Sequence, residues 1–317
     1  MESNQLRGIL CMVGAMLLIS VQEAFAKYLG QMLPVAEVVW ARYLGHLLLM
    51  TLLLWPKNGV ELLKTNKPVM QIGRSLILLI DTVLFFFGLT MLGLAEATAI
   101  FFTVPLLVLL LSIPLLGERV SASSIAAIIV GFIGTLIIVR PGIDGLGSSD
   151  QGLGALLIFG AACCTAIYNV STRKLSDSDP IPVTLFYTAM VGAVVTSFFV
   201  PFIWQTPGSP EVWAALISIG LFGGMAHSLI IIAHKYAAAT TVAPFMYSQI
   251  FWALAFGWLM FGDLPDLYAY LGGVIVIGSG LFLFYRDRAR VRAASQHLAK
   301  KPVSVTDADE AARPDSL

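Results

Sequence analysis

Apolar runs of bilayer-crossing length recur from about residue 7 to residue 285, separated by short polar or proline- and glycine-containing breaks. A helix needs roughly 20 apolar residues to cross about 30 Å of hydrocarbon. Ten segments meet or approach that length, near 7–28, 35–55, 70–91, 95–116, 122–140, 152–173, 181–203, 211–233, 240–261 and 267–285. Beyond Tyr285 the pattern changes. Arg286, Arg288, Arg290 and Arg292 give way to a polar stretch from Ser304 to Leu317 with too few apolar residues to fold, so residues 287–317 read as a disordered cytoplasmic tail.

The runs are also ordered among themselves. Shifted by about 146 residues, the first half of the chain lies over the second. Gly8 falls on Gly154, Lys27-Tyr28 on Arg173-Lys174, Pro34 on Pro180 and Trp40 on Phe186; with a slip of one, Gly117-Glu118 falls on Gly262-Asp263. Each copy holds five runs, an odd number, so the second copy must thread the bilayer in the opposite sense. The expected fold is an all-α integral membrane protein of ten helices. Two inverted five-helix repeats, residues 6–141 and 152–286, make it up.

Composition agrees with a membrane setting. The chain is 58% hydrophobic and 12% charged, with mean hydropathy +0.85, whereas soluble domains keep about a quarter of their residues charged. Arg7, the first apolar run and Ala24-Phe25-Ala26 resemble a secretory signal with its cleavage site. Loss of residues 1–26, however, would remove the partner of the sixth helix and break the repeat. The basic residues set an orientation. With the N-terminus cytoplasmic, Arg7, Lys57, Lys64, Lys67, Arg74, Arg119, Arg173, Lys174, Lys235 and the tail lie inside, and Lys27 and Arg140 outside. Both termini are then cytoplasmic. The formal net charge of zero conceals this asymmetry and offers no nucleic-acid footprint. Cys11, Cys163 and Cys164 sit within apolar runs as small buried side chains, with no disulfide or metal expected.

Several motifs together carry a resemblance. They are the proline-initiated second helix with its arginine, Pro34 to Arg42, and the run Glu96-Ala-Thr-Ala-Ile-Phe-Phe-Thr-Val-Pro105. Gly117-Glu118-Arg119 follows, then Gly131, Gly134 and Arg140-Pro141-Gly142. Over residues 6 to 286 the chain resembles the bacterial drug/metabolite transporter superfamily, EamA type. The resemblance implies a multi-pass protein of the bacterial inner membrane that carries small organic metabolites, inward or outward. The N-terminal half is most similar to members described as riboflavin or S-adenosylmethionine carriers.

Mechanism follows from the repeat. Inverted repeats place a substrate site near the midplane between two bundles that rock against one another. Polar groups that face inward there are the candidates, because a charge in mid-membrane costs about 3 kcal/mol or more unless paired or wetted. Arg42 lies about two turns into the second helix, His46 follows at i+4 on the same face, Asp81 is near the middle of the third helix and Glu23 near the end of the first. This set reads either as a substrate clamp or charge relay, or as a structural ion pair. Arg74 is expected to snorkel to the interface. Glu96 reads as a helix-start residue, and Glu118 and Asp263 as turn or gate residues.

Aromatic and amide side chains extend the list. Phe101, Phe102, Tyr168, Tyr187, Tyr247 and Trp252 read as packing or as the walls of a cavity that stacks a flat solute. Asn169 and Gln249 are buried amides that need partners, and His227 reads as structural. Pro105, Pro114 and Pro244 are expected to interrupt helices. The fifth and tenth helices, least polar, are expected at the periphery or in a homodimer contact. No HExxH, GxSxG, Walker or GxGxxG motif stands in the required context, so no enzyme, cofactor or ATP-driven pump is indicated. A membrane-embedded lipid-handling protein and a solute sensor remain as alternatives to a carrier.

Overall fold

The computed structural model describes residues 2–116, 122–139, 150–175, 178–237 and 242–299, and all their regular structure is helical. In hydrocarbon a backbone that satisfies its own hydrogen bonds is required, and helices supply it. They are α1 (Glu2–Gly30), α2 (Val35–Asn58), α3 (Pro68–Met91), α4 (Leu94–Phe101), α5 (Val104–Leu116), α6 (Ala122–Val139), α7 (Asp150–Leu175), α8 (Ile181–Phe199), α9 (Pro210–Tyr236), α10 (Ser248–Phe256) and α11 (Leu267–Ala299). Seven helical stretches are long and apolar enough to cross a membrane. Three shorter ones, Ile125–Ile138, Phe245–Phe261 and Leu267–Phe282, occupy the remaining expected positions.

Local chemistry explains the boundaries. Pro68 and Pro210 open α3 and α9, where a missing N–H costs nothing, and Ser209 Oγ accepts from the Val212 N–H at 3.4 Å. The expected fourth helix is in fact two. Pro105 has no N–H for the Phe101 carbonyl, and the chain tightens at Phe102 and Thr103 before α5 begins. Glu96 accepts from the Gly93 N–H at 3.4 Å, as a helix-start carboxylate should. The corresponding late segment is also irregular: a 3₁₀ turn at Ala243–Tyr247, then α10, then a π turn at Gly257–Phe261 that ends on left-handed Gly262 (φ 69°). Pro114 does not interrupt α5.

The C-terminal expectation needs correction. Helix α11 continues to Ala299, through residues 287–299, which the sequence pattern assigns to a disordered tail. The reason is that the run Arg286 to Ala299 is rich in alanine and arginine, strong helix formers that extend a helix already nucleated. Gly117, Glu118, Arg119, Arg140, Pro141, Gly142 and the segment 304–317 lie outside the described residues.

Packing creates two groups of helices. Helix α1 packs on α9 and α10, and α3 on α7, which also carries α5; α2 lies against α8 and α9, α8 against α3, and α6 against α11. Glycine permits the closest approaches. A Cβ at Gly220 would stand 2.6 Å from the Gly45 Cα, so α2 and α9 touch backbone to backbone. Gly134 and Gly272 do the same for α6 and α11, where a Cβ at Gly272 would stand 2.5 Å from the Gly134 carbonyl.

Candidate functional site

Between the α1–α9–α10 group and the α3–α5–α7 group lies a cavity of about 220 Å³. Its walls combine few charges with many rings. Arg42 enters from α2, and Ile19, Gln22 and Glu23 from α1. Helix α3 contributes Leu78, Asp81, Thr82, Phe85 and Phe86, and Phe101 comes from the end of α4. Thr165, Tyr168 and Asn169 from α7 and Gly223 and His227 from α9 close the lining.

The guanidinium of Arg42 is held by neutral groups. Its Nη1 donates to Thr82 Oγ1 at 2.9 Å, and its plane lies 4.9 Å from the Tyr43 ring and 5.9 Å from the Phe86 ring. Thr82 is itself fixed by Tyr43 Oη at 3.0 Å and by donating to the Leu78 carbonyl at 2.9 Å. Among the described residues no carboxylate lies within ion-pair distance of Arg42. Arg42 Nε has no hydrogen-bond partner. The geometry therefore does not contain the structural ion pair that the sequence leaves open for Arg42, and a donor is left free.

Both acids are anchored from one side. Asp81 Oδ1 accepts from Thr165 Oγ1 at 2.8 Å. Glu23 Oε1 accepts from Gln249 Nε2 at 2.9 Å, while its Oε2 has no partner. Phe85 and Phe101 meet edge to face at 4.9 Å between centroids, forming an aromatic corner. A buried acceptor, a buried donor and an aromatic wall converge on one space, as in sites that bind small organic molecules.

Six of the sequence candidates, Glu23, Arg42, Asp81, Phe101, Tyr168 and Asn169, come together here. Gln249 stands one layer behind, as the partner of Glu23. His46 is also outside the lining: its ring stacks on that of His227, 5.4 Å away and 2° from parallel. Tyr247 packs on Phe102, and Trp252 lies against the Met12 and Met16 cluster. Tyr187 is away from the cavity, with its hydroxyl donating to the Leu63 carbonyl at 2.8 Å. In contrast, His227, Gln22, Thr82, Phe85, Phe86 and Thr165 line the space without having been singled out as pathway residues. They carried no charge anomaly to mark them. For Thr165 the usable signal was position, one helical turn from Asn169.

Two other cations are buried, one of them against expectation. Arg74 does not snorkel; it is 1% exposed. It donates to Thr172 Oγ1 at 2.7 Å, to the Thr184 carbonyl at 2.9 Å and to Thr188 Oγ1, and it lies 4.7 Å from the Tyr168 ring. Its face of α3 turns toward α7 and α8, and four neutral groups there hold the guanidinium without an acid. Lys27, which the basic-residue count assigns to the outer side of the membrane, is also buried and pairs with Asp263.

Comparison with known proteins fits this arrangement. The model of the EamA-like transporter family matches residues 6–140 and 152–285. An S-adenosylmethionine uptake transporter of Rickettsia prowazekii is 28% identical over 89% of this chain and 94% of its own length. A riboflavin transporter of Vibrio cholerae is 31% identical over 59% of this chain and 61% of its own. A solved crystal structure shares the fold at TM-score 0.60 and 19% identity, covering 88% of this chain and 98% of the other. The chain belongs to the EamA-like transporter family, as a multi-pass membrane transporter of small metabolites rather than an enzyme.

Proposed function

We propose that this protein carries its solute by alternating access, through two inverted five-helix repeats, residues 6–141 and 152–286, that make ten crossings. The helix pairings support the reading. Moving along the chain by about 146 residues takes α1 to α7, α2 to α8 and α3 to α9, and it takes the α4–α5 segment to α10 and α6 to α11. Exchanging the halves turns the α1–α9 contact into α7–α3, α1–α10 into α7–α5, and α2–α9 into α8–α3, all of which occur. The pairs α2–α8 and α6–α11 map onto themselves.

The observation that carries the proposal is the cavity's place in that exchange. Its walls are built from matched positions: Ile19 with Thr165, Gln22 with Tyr168, Glu23 with Asn169, and Asp81 with His227. A site on the exchange axis is one that either bundle can uncover. Chemistry, however, is not matched. Glu23, Asp81 and Arg42 belong to the first half, and the second half answers with an amide, an imidazole and, at Thr188, a hydroxyl.

The solute class follows from these groups. The guanidinium of Arg42 offers donors to an anionic group, the carboxyl groups of Glu23 and Asp81 offer acceptors to a cationic one, and Phe85, Phe86, Phe101 and Tyr168 receive a flat ring. A heteroaromatic metabolite bearing both charges fits, and the relatives named for S-adenosylmethionine and riboflavin point to flat heteroaromatic solutes. The basic-residue distribution supports an inner-membrane orientation with both termini cytoplasmic. Transport does not use ATP. A homodimer through the outward faces of α6 and α11, where Ile129, Ile133, Leu271 and Val274 are exposed, completes the proposal; only monomers in a native mass spectrum from mild detergent would contradict it.

The test is counterflow in sealed proteoliposomes preloaded with a pooled metabolite library including S-adenosylmethionine and riboflavin, read by mass spectrometry. Saturable, ATP-independent exchange of a flat, charged heteroaromatic solute is expected. Binding without vectorial exchange of any pool member would instead favour a sensor or a lipid-handling protein.

A further inference from the structure

One buried charge has no part in the cavity and still adjoins it. Lys27 follows Glu23 by one helical turn on α1, so it stands directly beyond the cavity toward the α1 C-terminus. It is only 6% exposed. Its ammonium makes three contacts, two with the segment around Gly262 and one with the end of α3. It pairs with Asp263, just past the segment that packs on α1. It donates to the Leu92 carbonyl at 2.9 Å, at the C-terminal cap of α3, and it lies 4.8 Å from the Phe261 ring.

Backbone geometry aims the acid. The π turn at Gly257–Phe261 and left-handed Gly262 fold the chain back, with the Asp263 N–H donating to the Gly257 carbonyl at 3.0 Å. The bond from Lys27 to the Leu92 carbonyl runs from this cluster across to the end of α3, in the α3–α5–α7 group. Lys27 is thus a staple between the two helix groups that flank the cavity.

Matched positions in the two halves show which end the staple closes. Glu23 and Lys27, toward the α1 C-terminus, are buried. Asn169, which matches Glu23, and Lys174, which matches Tyr28, are exposed toward the C-terminus of α7. The cavity is thus flanked by buried side chains at the Lys27 end, whereas its lining is exposed at Asn169.

We infer that Lys27, held by Asp263 and bonded to the Leu92 carbonyl, is the latch that closes this end of the transport cavity and must release for the solute to pass there. The latch rests on the reading of the cavity as the transport site. An ammonium suits the role because it forms and breaks a bond to a carbonyl without covalent change, and Asp263 travels with it, so the charge stays paired on release. Substituting either partner disfavours the closed state. Lys27→Met removes the bond across the gap and leaves Asp263 unpaired; Asp263→Asn leaves a buried ammonium without its acid.

The experiment needs no solute, so failure of the substrate reading does not decide it. In a chain with Cys11, Cys163 and Cys164 replaced by alanine, a single reporter is placed at Thr165→Cys in the cavity. A separate Gln31→Cys marks the side on which α1 ends. Membrane-impermeant maleimide is applied from each side of oriented proteoliposomes, and alkylation is measured per folded molecule. Lys27→Met is expected to raise alkylation of the reporter about tenfold from the Gln31 side, and to lower it from the other, the shift allowed by loss of one charge-assisted hydrogen bond. Asp263→Asn should do the same, and serves if Lys27→Met fails to fold. Unchanged rates from both sides in a folded Lys27→Met or Asp263→Asn protein would overturn the latch and leave the ion pair as a structural brace.

Discussion

Replacing Arg42 by lysine keeps the charge in the cavity and removes the planar fork. In the wild-type protein one arm of that fork is used by Thr82 at 2.9 Å, two rings lie beside its plane at 4.9 and 5.9 Å, and Nε remains unused. A single ammonium nitrogen cannot serve Thr82 and a solute anion in the same directions. One charge-assisted hydrogen bond is therefore lost, worth about 1.5–3 kcal/mol, or roughly a 10- to 150-fold loss of apparent affinity at about 1.4 kcal/mol per decade. The assay is counterflow of the identified solute, with initial rates divided by folded protein measured by size-exclusion chromatography. The ring contacts survive in part with lysine, so folding is expected to suffer less than with Arg42→Ala. A wild-type rate and half-saturation per folded Arg42→Lys molecule would refute the reasoning and remove Arg42 from the site.

Other consequences are as definite. Gly220→Ala places a methyl 2.6 Å from the Gly45 Cα; overpacking of about 1–3 kcal/mol should lower the thermal midpoint in detergent, and an unchanged midpoint would contradict the close α2–α9 contact. Asp179, outside the spans, is raised by burial but lowered more by hydrogen bonds from Thr65, the Asn66 N–H and Gln71, so its carboxyl lies below the ordinary 3.8. Its stabilising contribution is present above the unfolded value and disappears as pH falls through the folded one. Asp179→Asn should thus lower the midpoint at pH 7 and converge with wild type near the acid limit; an equal deficit at all pH values would contradict this. For the orientation, a cysteine at Lys64 should resist impermeant thiol reagents in intact cells, and its labelling there would reverse the assignment.

Helices were legible in the sequence because lipid demands long apolar runs, and the break before α5 because Pro105 lacks an N–H. Glu23, Arg42 and Asp81 stood out for the same physical reason: a charge in a crossing helix survives only where it faces protein or water. The threonines, phenylalanines and His227 that complete the walls are ordinary in such helices, and only the tertiary arrangement of α3, α7 and α9 brings them to the cavity. Burial of Lys27 and Arg74 was hidden for a related reason. Distance from the end of a run says how far a side chain must reach to water, but not whether another helix stands in the way. Arg74 meets Thr172, Thr184 and Thr188, about a hundred residues along the chain.

We propose that the transported solute occupies the cavity around Arg42, Asp81 and Glu23. Protection of a cysteine at Thr165 tests it most directly: alkylation is followed while the solute identified by counterflow is titrated. Protection is expected with a half-maximal concentration equal to the half-saturation of exchange, weakened together with transport in Arg42→Lys. Exchange that proceeds at saturating solute while the cysteine at Thr165 reacts at its unprotected rate would contradict it.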